Sequence, residues 1–160
     1  MPIPTNKAVR DLFDGLLGRD VTVANGPAVE PAAKLGPSTA VYVDDKNELS
    51  AVVLMDFPLT AYVGAALGLI PAGGAKAAIE DREMSTTLNE NAYELLNVLA
   101  GVLNECSDQR QRLHTVHAPG EVVPADVAPW TIAPGPRTDL ALDIKGYGGG
   151  RLSIVSALGA

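Results

Sequence analysis

Glu94 and Asn97 stand three residues apart in the stretch 87–105, with Glu90 before them and Gly101 after. A carboxylate accepts hydrogen bonds and attracts cations, while a carboxamide donates and accepts at once, so the pair is material for a polar site. The spacing gathers them only on a helix. At about 100° per residue, Glu90, Glu94, Asn97 and Gly101 fall inside an arc of roughly 60°. Leu88, Ala92, Leu95, Leu99, Val102, Leu103 and Cys106 lie opposite, so one face packs and the other is presented.

The presented face is unusual in kind, because no basic residue occurs between Met84 and Arg110. Asparagine stands at 89, 91, 97 and 104 instead. Asparagine is a mediocre helix former, since its amide competes for backbone hydrogen bonds; several in one helix are either tolerated or used. Two bland readings stay open. The stripe can be a solvated face, and Thr87 with Glu90 has the Thr-x-x-Glu spacing of a capping box, which gives Glu90 a structural task.

The surrounding chain limits what such a site can serve. At 160 residues it is long enough for a self-sufficient core, read as a single domain over 1–160. A hydrophobic content of 47% against 19% charged residues is that of a globular protein. The net charge of −7 repels phosphate backbones and an aromatic content of 4% leaves few stacking platforms, which argues against nucleic acid and for a partner with a basic rim. Cys106 is the only cysteine, so neither an internal disulfide nor a multi-cysteine metal site is expected and a cytoplasmic setting suits the chain. Met1 to Thr5 show no secretory pattern. The apolar run Phe57 to Ala75 is broken by glycines and Pro71, and reads as a buried helix rather than a membrane span.

The elements that must position the stripe follow from local signals. Thr5 or Asn6 caps a helix reaching Leu17, with Gly18 as its stop, and a strand follows at Asp20 to Ala24. Thr39 to Val43 and Glu48 to Met55 form a hairpin around Asp44-Asp45-Lys46-Asn47; the two aspartates lack the ligand series of a calcium loop. Asp56 caps a helix through Leu69 with Pro58 in its first turn, and Ala72 to Ser85 reads as a linker. Arg112 to His117 is a strand on which alternation sends His114 and His117 to opposite faces, so no shared metal is expected. Five prolines mark a crossing from Ala118 to Arg137 that Trp130 anchors. Asp139 to Lys145 and Arg151 to Leu158 form a terminal hairpin around Gly146-Tyr147-Gly148-Gly149-Gly150, a string without the helix or Lys-Ser/Thr ending of a phosphate loop.

This order of elements, together with Glu94-Leu95-Leu96-Asn97, resembles the CheC/CheX/FliY family of chemotaxis phosphatases, and the CheX branch most. The likeness covers 6–23, AVVLMDFPLTAYVGAALGL at 51–69, NENAYELLNVLAGVLNE at 89–105, and 140–155. In that family an acidic or Ser position, a Glu and an Asn precede a downstream Pro; Glu90, Glu94 and Asn97 match in turn, and the Pro falls one position off at Pro119. One such motif is present, as in the CheX branch.

The resemblance implies an α/β (α+β) fold: an antiparallel-rich sheet with hairpins, packed against a few helices including one long helix. It implies hydrolysis of the aspartyl-phosphate on a CheY-type response regulator, with Asn97 positioning the attacking water and Glu94 meeting the partner's active-site Lys. Glu90 and Gly101 would touch the partner, magnesium would belong to the receiver domain, and the chain would need no cofactor of its own. Relatives in the CheX branch are dimers joined at sheet edges, which makes the terminal hairpin the expected edge of a homodimer. The alternative within the same fold is a non-catalytic module that grips a receiver or flagellar-switch partner.

Overall fold

The computed structural model describes residues 3–157. Leu158, which alternation assigns to the last strand, lies outside them, as do Met1 and Pro2 of the opening segment. Helix α1 (Asn6–Leu17) begins where the Thr5 hydroxyl accepts from Ala8 N and ends at Gly18, whose φ of 67° suits a residue without Cβ. Then come β1 (Val21–Asn25), β2 (Ser38–Val43), β3 (Leu49–Met55), α2 (Phe57–Leu67), α3 (Ala72–Asp81), α4 (Thr86–Glu105), β4 (Arg112–His117), the single turn α5 (Ala128–Thr131), β5 (Arg137–Ile144) and β6 (Gly148–Ser156). The six strands make one sheet in the order β1-β5-β6-β3-β2-β4, every neighbouring pair antiparallel. This is the antiparallel sheet with hairpins and one long helix that the resemblance implied.

Alternation along the central strands sorts two cores. Ala51, Val53 and Met55 of β3 face the main core with Ala40 and Tyr42 of β2, beneath α1, α2 and α4. Val52, Leu54 and Val41 face the other way, where Val29 and Val127 cover them from two loops and Trp130 packs alongside. Burial on both faces is why β3 reads as an unbroken apolar run from Ala51 to Met55. The loops on that second face are tied down by a polar network. Arg137 grips the Asp139 carboxylate at 2.9 Å and donates to Ala133 O at 2.7 Å; Ser153 Oγ donates to the same carboxylate and accepts from Val29 N.

Two expectations are corrected. The segment expected as a linker contains α3: Gly73 and Gly74 lower its helix propensity, but Ala75 and Ala78 bury against the body and alanine supplies the rest. The terminal hairpin is not a sheet edge. β5 lies between β1 and β6, and β6 between β5 and β3, so both strands are paired on each side and β1 and β4 are the edges. Alternation in a sequence identifies a half-buried strand but does not say which neighbours it will have.

What positions α4 is a set of close contacts. A Cβ added at Gly64 of α2 would sit 2.5 Å from Leu88 O, so the two helices meet backbone to backbone there. Asn91 Nδ2 donates to Gly64 O at 2.9 Å beside that contact. From the sheet, the fully buried Tyr42 hydroxyl donates to Leu96 O at 2.6 Å, in mid-helix. Burial raises the Tyr42 pKa strongly, so the phenol stays protonated as a donor. At the far end Asn104 accepts from Gln111 N and donates to Gln111 O, tying the helix to the start of β4.

Gly64→Ala should therefore force α2 and α4 apart and lower unfolding stability by about 2 kcal/mol, read as a fall in the urea midpoint. Tyr42→Phe should cost about 1 kcal/mol by the same measurement, because one buried hydrogen bond is lost while the ring still fills its place.

Candidate functional site

Helix α4 begins two residues ahead of the expected capping box. Ser85 is the N-cap, its hydroxyl accepting from Leu88 N at 3.2 Å, and Thr86 and Thr87 lie inside the helix. Serine and threonine cap comparably, so three hydroxyl residues in a row leave the start undetermined until packing selects the frame that buries Leu88. Glu90 is thereby released from capping and is exposed.

Glu90, Glu94, Asn97 and Gly101 are all exposed, in line on the face opposite Leu88, Ala92, Leu95, Leu99 and Leu103, which are buried. Leu96 is buried too, so the packed face is broader than the opposite stripe alone. The salt bridges among the described residues, Lys7–Asp11, Arg10–Asp11, Arg137–Asp139 and Lys145–Asp20, lie elsewhere, leaving both glutamates without an ionic partner. The four asparagines divide by task. Asn91 and Asn104 hold backbone groups, Asn89 is half-buried, and Asn97 points its amide into solvent with no hydrogen bond among the described residues. A Cβ at Gly101 would meet nothing within 4 Å, so internal packing does not explain its small size.

Two residues of this face were missed in the sequence. Tyr93 is 43% exposed and Val98 37%, one on each flank of the Glu94–Asn97 pair. On the helical wheel each stands only about 40° outside the polar arc, which was the available signal. They turn a polar stripe into an amphipathic surface. Beside it, between the first half of α4 and the end of β4, a cleft of about 380 Å³ is lined by Glu90 and Tyr93 but by neither Glu94 nor Asn97.

Elsewhere the chemistry is sparse. The Cys106 thiol is half-buried against Leu103 O, and burial pushes its pKa up, away from a reactive thiolate. Thr115 pairs with Val41 and Leu113 with Tyr42, so His114 is the extra residue of a bulge and simple alternation does not hold across it. Leu113 and Val116 both pack toward the main core as a result. Among the described residues no three of His, Cys, Asp and Glu gather as metal ligands, and no helix is long and apolar enough to cross a membrane.

No family model and no curated protein matches the sequence. Solved structures do. The FliM middle domain from H. pylori superposes with a TM-score of 0.64 at 13% identity, covering 94% of this chain and 86% of that one; FliM of that organism is also known in a complex with FliG. A chemotactic CheC-like protein from Shewanella oneidensis MR-1 gives a TM-score of 0.51 at 10% identity over 93% and 92% of the chains. Thermotoga maritima FliY gives 0.50 at 16% identity over 94% and 83%. The chain therefore has the fold shared by CheC-like proteins, FliY and the FliM middle domain, the fold that its Glu-x-x-Asn helix and order of elements implied.

Proposed function

We propose that this protein docks α4 onto a CheY-type receiver domain and accelerates hydrolysis of the receiver's aspartyl-phosphate. The observation that carries the reading is the stripe on α4: Glu94 and Asn97 are exposed, one turn apart, and without a partner among the described residues, on a helix whose other face is locked to the core. A stiff, protruding pair of this kind reaches into another protein's pocket, where a floppy loop would not hold its geometry.

The chemistry suits the groups. Phosphoryl transfer passes through a loose transition state and needs positioning and charge stabilisation more than a strong base. The neutral amide of Asn97 accepts a hydrogen bond from a water and orients it in line with phosphorus without being repelled by the phosphoryl oxygens. Glu94, one turn earlier, pairs with the receiver's active-site Lys, and magnesium is the receiver's. Glu90 and Gly101 extend the contact, with Gly101 letting the partner's backbone approach. The setting is cytoplasmic. A homodimer joined at sheet edges would use β1 or β4.

A second reading is favoured by the higher structural likeness to the FliM middle domain and by the FliG–FliM complex known for it. In it the same surface grips a protein partner without catalysis, and Tyr93 and Val98 supply the apolar part of the contact.

The test mixes the protein with receiver domains phosphorylated by a small-molecule donor and follows phosphate release. Asn97→Ala should lose about a hundredfold or more of the acceleration while its urea midpoint stays put, since the side chain is exposed and unbonded. An unchanged rate in that variant removes Asn97 from the chemistry. Glu94→Ala should weaken receiver binding by roughly tenfold; tight binding that leaves the phosphate lifetime untouched would decide for the non-catalytic module.

A further inference from the structure

The cleft beside α4 has no part in the proposed hydrolysis, yet its lining is chemically specific. Ala92 and Leu96 of α4 and Val116 of β4 give it an apolar floor. Tyr93 stands at one wall, and Glu90 of α4 and Glu121 of the loop after β4 bring two carboxylates. Both carboxylates are exposed and neither has an ion-pair partner among the described residues. No lysine or arginine lines the cleft, and its volume of about 380 Å³ is that of a small-ligand site.

We propose that this cleft receives an arginine side chain projecting from the docked protein. The inference rests on the docking half of the function proposed above and not on whether catalysis follows. An acidic or phosphorylated group is repelled by Glu90, Glu121 and the −7 net charge of the chain. A purely apolar side chain would desolvate two carboxylates with nothing to pair them. Arginine satisfies all three surfaces at once: its methylene stem lies along the apolar floor, its guanidinium plane stacks on Tyr93, and its fork of donors meets the carboxylates. Lysine, a compact and strongly hydrated charge, matches the carboxylates but not the aromatic wall.

The probe is Nα-acetyl-arginine amide, titrated into the full chain while the methyl resonances of Ala92, Leu96 and Val116 are followed by NMR. Saturable shifts at these methyls are expected, with a Kd on the order of 10 mM or tighter, and no response to the neutral citrulline analogue of the same shape. The double variant Glu90→Gln, Glu121→Gln should bind the probe about tenfold more weakly with its fold unchanged. Absence of saturable shifts, or an equal response to citrulline, overturns the proposal; so does a receiver domain that binds the wild type and the double variant with equal affinity. Binding of the probe without binding of any receiver leaves the arginine cleft standing and removes the receiver reading instead.

Discussion

The backbone contact between Gly64 and Leu88 is the constraint on which the rest of the molecule turns. Two helices touching without intervening side chains have little freedom to slide, and the Tyr42 hydroxyl then fixes rotation by holding Leu96 O from the sheet side. Position and rotation of α4 are thus set by groups on two other elements. A helix held only by leucines would pack comparably well after a small rotation, since apolar contacts are not directional. Direction comes from the polar contacts of Tyr42, Asn91 and Asn104, and it decides which side chains face outward.

The sheet contributes through its central strands β2 and β3, which are buried on both faces. Its helix face carries α1, α2 and α4, while its other face is closed by loops pinned through Arg137, Asp139, Ser153 and Val29 N. Arg137 and Asp139 are mostly buried, with side chains 12% and 23% exposed, so their geometry matters more than their Coulomb attraction. The outer side of α4, with the cleft next to it, presents Glu94 and Asn97, which lack partners among the described residues, beside the exposed Tyr93 and Val98.

Much of this was legible in the residues, and the failures have local causes. Thr5, Gly18, Asp56 and the turn at Asp44 carry strong capping and turn chemistry, and their elements begin and end close to where those residues placed them. The stripe was legible because helical periodicity is a geometric fact independent of tertiary contacts. Three things were hidden. The α3 segment depends on burial of Ala75 and Ala78, a tertiary effect that overrides the glycines. Serial hydroxyls at 85–87 left the cap degenerate. Strand order is set by pairing over long separations, such as β1 with β5, which no local signal encodes. Tyr93 and Val98 were visible on the wheel but lay between categories, neither in the polar arc nor in the buried one.

Gly101 gives the helix a trade-off of its own. In mid-helix a glycine lowers stability by about 1 kcal/mol relative to alanine, and open space surrounds the place a methyl would fill, so no contact within the protein offsets that loss. A fold selected for robustness alone would carry alanine there. The bare stretch of main chain is instead a permanent concession of rigidity in a helix otherwise held from two sides, as expected where a surface answers to something outside its own molecule.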